Sequence, residues 1–443
     1  MRRISYMRGP VSEHQHLPIP RDNITPGEPF NFEALRSDGR IVFKIDGEVF
    51  HQIEYAGPLG PVGFTVFPGG GTLRTYELSA VGPTASLGDW ERIEGWRPTV
   101  PEVDISGEKE RQVVIMRGTE EIDYEHPSTL LMPDNKTMLC VWTIGHGGQG
   151  GPFKRSDDAG RTWSGILEVP ESWGRTRNCP TIHRVVSPHG KARLIVFALD
   201  QDGGIVQSLS EDDGTRWSEM EPTGLRATVP PIRVEPIDGG RRHLILYHRE
   251  GDTHQSISAD GGLTWGAEQT VAAPYDCRPC EPDVIRSPDG KQLTAIMREQ
   301  WRAYNSMLIT SDDEAKTWHH FREGNIAVTG DRHLARFSPD GRLVIVFRDN
   351  SLDTPPLPDG QRVDKCRFVA WVGTYGDLIH ARAGQYRILL LRSELGCGYP
   401  GLEVLPDGTF VATTYIGLEP GEQHSIVSTR FNLDEMDQRV EKL

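Results

Sequence analysis

An eight-residue pattern, Ser-x-Asp-x-Gly-x-Thr-Trp, recurs four times with some decay: SDDAGRTW (156–163), SEDDGTRW (210–217), SADGGLTW (258–265) and SDDEAKTW (311–318). The starts lie 54, 48 and 53 residues apart, a period that belongs to repeat architectures. Within each octet the Asp and Ser side chains can bond backbone amides and close a tight hairpin. Gly permits a positive φ, and Trp can pack beneath the turn. Asp158, Asp212, Asp260 and Asp313 are therefore expected to be structural.

A second marker keeps step with the first. Turns are expected at Pro133-Asp134-Asn135, Pro188-His189-Gly190, Asp238-Gly239, Pro288-Asp289-Gly290, Pro339-Asp340-Gly341 and Pro406-Asp407-Gly408. Around them lie short β-rich runs such as RHLILYHR (242–249), KQLTAIMR (291–298) and RLVIVFR (342–348), bounded by turn residues. In the first four units the octet begins 20 to 22 residues after the turn, one strand out and one strand back. Each unit reads as a four-stranded antiparallel sheet. The fifth carries a Pro- and Asp-rich insertion from Asp349 to Lys365, and its octet has decayed to a stretch from Gly373 to Asp377. The sixth stops at Phe431, short of an outer strand, which QVVIMRG (112–118) is expected to supply, closing the ring. The fold expected is all-β, a six-bladed β-propeller over 108–432, with a solenoid as the alternative.

Residues 1–107 lack the repeat. IVFKIDGEVFHQIEY, VGFTVFPGG and TLRTYELSAVG alternate and turn at DG and GG, suggesting part of a β-sandwich, a partial jelly roll. Residues 433–443 read as a charged tail. Six cysteines in 443 residues are too sparse for a disulfide scaffold, and the lone CxxC, Cys277 and Cys280, lacks a second ligand pair, so buried or free thiols and no metal or cofactor are expected. With 48 Lys+Arg against 63 Asp+Glu the formal charge is −15, which argues against nucleic acid as a partner. No apolar run approaches a membrane span, and no apolar stretch of signal length follows MRRISYMRG. The chain as given reads as cytoplasmic, or as secreted or periplasmic if its start is clipped.

Propellers bring the starts of their innermost strands to one mouth. Eight residues before the second residue of each turn motif, or before the Asp of Asp238-Gly239, stand His126, Thr181, Pro230, Glu281, Arg332 and Tyr399. A Tyr and a Glu at one rim form a chemically meaningful pair, because a carboxylate can take a phenol's proton and make it a nucleophile. Each also has a structural reading, Tyr399 as an inner-strand aromatic and Glu281 as half of an ion pair. Arg177, His248, Arg348 and Asp349 are further candidates near the mouth, the last two as a self-neutralising pair.

Through the four octets, or Asp boxes, and the segments Cys280-Glu281-Pro282-Asp283-Val284 and Gly398-Tyr399-Pro400-Gly401-Leu402-Glu403, the chain resembles the sialidase superfamily over residues 112–431. The resemblance implies Tyr399 as nucleophile, Glu281 as its base, and Arg298 and Arg367 as two of three arginines that hold a substrate carboxylate. A neutral phenol suits a sugar bearing that group on its anomeric carbon, since an anionic nucleophile would be repelled. Two family positions differ. Where an Arg is expected in the first blade the chain reads Tyr124-Glu125-His126-Pro127, and the loop expected to hold an acid/base Asp reads Gly145-His146-Gly147-Gly148. His146 or Glu125 is expected to carry the proton instead, with His126, Arg348 and Asp349 beside the substrate.

The function expected is an exo-acting glycosidase removing a terminal, acidic sugar such as sialic acid from glycans. The alternatives are a sialidase-fold hydrolase or lyase acting on another glycan with His126 or His146 as acid/base, and a propeller that only binds glycans.

Overall fold

The computed structural model of the chain describes residues 3–8, 13–18, 32–37, 40–54, 100–274, 277–301, 304–349, 366–393 and 395–443. The chain divides into two compact units, Met1–Ser86 and Leu87–Leu443. Of the first, two sheets are described. Arg3–Arg8 pairs with Glu13–Pro18, and Phe32–Ser37, Arg40–Ile45 and Glu48–Glu54 form an antiparallel meander. Asp46 and Gly47 both take positive φ, 50° and 85°, the two-residue turn whose twist matches the flanking strands. The GG turn and the strands expected around it lie outside the described residues.

The second unit is a propeller-like arrangement of antiparallel sheets. Tyr124–Leu131, Met138–Ile144 and Gln149–Ser156 are followed by Arg177–Val186, Ala192–Leu199, Gly204–Ser210 and Glu221–Arg226 in one seven-stranded sheet, whose two halves are joined at a single residue pair, Gln149 with Arg177. Val234–Ile237 to Gln269–Ala272 and Pro279–Arg286 to His319–Glu323 are four-stranded sheets. Gly330–Phe337, Leu343–Asp349, Cys366–Gly373 and Tyr386–Ser393 form the next. Glu102–Asp104, on the N-terminal side of the boundary read from the sequence, joins its outer edge in parallel. The last sheet, Cys397–Val404, Thr409–Ile416 and Ser425–Asn432, takes Gln112–Met116 as its fourth strand. That pairing ties the C-terminal sheet to the segment preceding the first.

First strands lie side by side. Arg177–Val186 contacts Tyr124–Leu131, which contacts Cys397–Val404, then Gly330–Phe337, then Pro279–Arg286. The core lies between sheets, on both faces of each. In Leu343–Asp349, Leu343, Ile345 and Phe347 pack towards the preceding sheet with Ile296, Leu308 and Trp371. The alternate residues Val344 and Val346 pack towards the following one with Phe410 and Val427. Burial on both faces is why these strands read as unbroken apolar runs.

The repeated octets close the turns as their chemistry requires. In the first, Ser156 Oγ accepts from Gly160 N at 2.8 Å, and Asp158 Oδ1 accepts from Thr162 N at 2.8 Å. Gly262 in the third shows why glycine is used: φ is 83°, and a Cβ there would stand 2.3 Å from Ile195 Cδ1. The decayed stretch of the fifth unit becomes a short helix, Tyr375–Ile379, capped reciprocally by Thr374 and Asp377.

Two expectations are corrected. The charged tail is a docked helix, Leu433–Val440, whose Leu433 and Met436 join the core while Asp437 meets Arg342 at 2.8 Å. Its apolar residues at i, i+3 and i+7 were masked by the charges between them. Cys366 and Cys397, for which the sparse cysteines gave no expectation of a bridge, form a disulfide with their Cα atoms 5.8 Å apart. Separated by 31 residues, they begin strands of neighbouring sheets. Most of the insertion between Asp349 and Lys365 lies outside the described residues.

Candidate active site

Four of the six residues at the constant offset share a backbone conformation that side chains rarely adopt. His126, Glu281, Arg332 and Tyr399 have φ of 53°, 55°, 51° and 53°. Each sits where the first hairpin of its unit slips register, at bulges between Glu125 and Ser128, Cys280 and Asp283, Asp331 and Leu334, and Gly398 and Gly401. A bulge adds a residue, bends the strand and re-aims a side chain. Three of the four precede proline, which has no N–H to leave unpaired where the ladder is interrupted. In the second unit the left-handed residues are Asn178 and Cys179, not Thr181.

The four side chains meet. Tyr399 Oη donates to Glu281 Oε1 at 2.6 Å, both residues being buried. The ring of His126 lies 4.2 Å from that of Tyr399, centre to centre, and the Arg332 guanidinium stands 4.9 Å over the same phenol. His248, a weaker candidate by sequence, accepts the backbone N–H of Glu281 on Nδ1 at 3.1 Å and so helps to hold that bulge. Its imidazole is kept neutral by burial, its pKa depressed to about 4.

Charge is arranged around the phenol in two groups. Burial raises the Glu281 carboxyl, but Arg298 and Arg332 outweigh it and hold the group at about 2. Arg298 Nη1 donates to Glu281 Oε2 at 3.4 Å, while its Nε lies 3.0 Å from Asp331 Oδ1. Arg348 Nε donates to the other Asp331 oxygen at 2.9 Å and Nη1 to the Cys397 carbonyl at 3.0 Å. Tyr399 itself is pushed well above the ordinary phenol value by burial and by Glu281, so it rests protonated.

On the other side, Glu125 bonds His146 Nδ1 at 2.5 Å and lies 3.4 Å from His126 Nε2. Burial opposes ionisation of Glu125, yet its bonds to His146 and His424 prevail and keep it a carboxylate. Donation to the Glu125 carboxylate raises the pKa of His146, whose side chain is 66% exposed. Burial lowers His126 to about 3, so its ring is neutral. Ligand atoms of Glu125, His126 and His146, and likewise of Asp123, Glu125 and His424, lie within 4.8 Å of one another, a donor set that could hold a divalent ion.

Of the residues named from sequence, Tyr399, Glu281, Arg298, Arg348, Glu125, His126 and His146 come together. Arg367 and Asp349 form a separate network with Arg387 and Glu102. The expected Arg348–Asp349 pair is split, because neighbours on a strand point to opposite faces. Arg348 turns to Asp331 and Asp349 to Arg387 and Arg367. Arg177 bonds the Asp200 carbonyl. Asp331, Tyr415, Asp123 and His424 were not found from sequence. Arg332 stood in the row of constant offset without an assigned role.

No family model matches the chain, and no curated protein does. Among solved structures it is similar to a protein of unknown function from Dyadobacter fermentans, at 18% identity and TM-score 0.56, over 72% of this chain and 97% of that one. It is similar also to the NanB sialidase from Streptococcus pneumoniae, at 11% identity and TM-score 0.50, over 73% and 71%. A leech intramolecular trans-sialidase matches at 13% identity and TM-score 0.50, over 72% and 70%. The chain has a sialidase-like fold.

Proposed function

We propose that the protein is an exo-acting glycosidase that removes a terminal sugar, with Tyr399 as nucleophile and Glu281 as its base. The observation that carries this reading is the buried 2.6 Å bond from Tyr399 Oη to Glu281 Oε1, formed by two left-handed bulge residues from different sheets. As the phenol oxygen bonds to the anomeric carbon its proton passes to Glu281, and the glycosidic C–O bond breaks. The departing oxygen takes a proton from His146, whose acid form Glu125 favours and which stands at the open side of the cluster. Water then releases the sugar from Tyr399 by the reverse proton movements. Glu125, held ionised, is a positioning group for His146 and not the donor. We further propose that the seven-stranded sheet is two blades, making six in all, and that the disulfide suits an oxidising compartment better than the cytoplasm.

A panel of 4-methylumbelliferyl glycosides, including the sialoside, tests the reading. Tyr399→Phe is expected to abolish turnover of whichever substrate is cleaved; full activity in that variant would remove the nucleophile.

A second reading, a lyase acting on another glycan, is favoured by one observation. His126 is neutral and its Nε2 has no hydrogen-bond partner, although it lies beside Tyr399 and could take a proton from a sugar carbon. A product with a new double bond, detected by ultraviolet absorbance, would select it over hydrolysis.

A further inference from the structure

The arginines around the phenol differ in how far the protein has already used them. Arg298 is shared between Glu281 and Asp331, and Arg348 is bonded to Asp331 and to the Cys397 carbonyl. Arg367 is bound by Glu102 and Asp349. Arg332 is only 5% exposed, yet its Nη1 is buried without a hydrogen-bond partner, and its guanidinium forms no ion pair with any carboxylate among the described residues. It stands over the face of Tyr399. A buried guanidinium that keeps donors unspent is costly in the free protein and becomes favourable only when an anion arrives to accept from it.

The backbone supports the same conclusion. Arg332 occupies a left-handed bulge like those that aim His126, Glu281 and Tyr399, so a strained conformation is maintained to direct this side chain to the phenol. Asp331, one residue earlier, turns away to neutralise Arg298 and Arg348. A carboxylate approaching that pair would meet an acid already in place.

We propose that Arg332 is the anion anchor of the site and takes the carboxylate of a sugar acid, the part that Arg298 and Arg367 were expected to play. This rests on the glycosidase reading and specifies its substrate class. With the guanidinium 4.9 Å from the ring centre of the nucleophile, the bound carboxylate lies next to the carbon under attack and not at the far side of the sugar ring. The planar fork can offer two parallel donors, which an ester cannot accept as strongly as a carboxylate.

The test uses the full chain carrying Tyr399→Phe, so that binding is read without turnover. N-acetylneuraminate and D-glucuronate are titrated calorimetrically beside their methyl esters. At least one acid is expected to bind on the order of tenfold or more tighter than its ester, and adding Arg332→Gln is expected to weaken that acid by roughly 10- to 100-fold while leaving the ester within a few-fold. Arg332→Lys, which keeps the charge without the fork, is expected to fall between. Equal binding of acid and ester, or no binding of either acid to the folded chain, overturns the proposal. So does an acid preference that is undiminished in Arg332→Gln or in Arg332→Lys, in protein with an unchanged melting curve. Should Arg332→Gln not fold, the acid–ester comparison and Arg332→Lys still decide. Turnover by Tyr399→Phe would refute the nucleophile and leave these binding results standing.

Discussion

Glu281→Gln replaces the carboxylate beneath the phenol by a neutral group of nearly the same shape. In the folded protein Glu281 is held at about 2, against an ordinary value of 4.5, because Arg298 and Arg332 outweigh the effect of burial. A carboxylate with a depressed pKa contributes stability that is fully present above the unfolded value and is lost as pH falls through the folded one. The gap corresponds to roughly 3 kcal/mol. At 3% exposure little of that is screened by solvent. The difference in unfolding free energy between the native sequence and Glu281→Gln, measured by urea titration from pH 6 to pH 2, should therefore shrink by roughly 3 kcal/mol, nearly all of it below about pH 4.5. Turnover should fall about 10²- to 10⁴-fold, since an amide can accept the Tyr399 hydrogen bond but cannot keep its proton. A stability difference that is flat with pH, or a turnover number within tenfold of the original, would refute the electrostatic account of this pair.

Glu125→Gln removes the bond that raises His146. The alkaline limb of the pH–rate profile should move to lower pH, because the acid form of His146 is then lost sooner as pH rises; an unmoved limb would take His146 out of the proton path. Replacing Cys366 and Cys397 by Ser, or reducing the native protein, should cost about 2–4 kcal/mol in urea unfolding, since the bridge restrains a loop of 31 residues. Met436→Ala should cost roughly 2–5 kcal/mol by opening a cavity where the C-terminal helix meets the core, whereas a solvated tail would lose nothing measurable.

The periodic part of the fold was legible because the octets and turns are local: each requires Gly, Asp or Pro at a fixed position for reasons internal to a few residues. The constant offset carried over into the site, and it named Tyr399 and the three other bulge residues that converge on its phenol. The bulge itself was also written in the sequence. A proline inside a buried apolar strand, as at Pro127, Pro282 and Pro400, is compatible with a sheet only where the ladder is interrupted. Partnership between charges was not legible. Whether Arg298 is open to a ligand depends on Asp331, 33 positions along the chain, and whether Arg348 faces the site depends on which side of its strand it occupies. The disulfide was hidden for the same reason, since only the packing of neighbouring sheets brings Cys366 to Cys397.

The geometry around Tyr399 also bears on why a phenol suits this position. The cluster holds three arginines, Arg298, Arg332 and Arg348, against the acids Glu281, Asp331 and Glu125, and two of those acids lie on the arginine side. A carboxylate in place of Tyr399 would add another negative charge 2.6 Å from Glu281, and one of the two acids would take up a proton to relieve the repulsion. The protonated phenol avoids this and leaves Glu281 ionised to receive a proton. It also presents an aromatic face, over which Arg332 rests without spending its donors. A neutral nucleophile, an ionised base and an uncommitted guanidinium are thus mutually dependent. Removing the phenol ring takes away the surface that supports Arg332, and removing the Arg332 charge loosens the hold on Glu281. For that reason Tyr399→Phe, which keeps the ring, separates chemistry from binding, whereas Tyr399→Ala would disturb both.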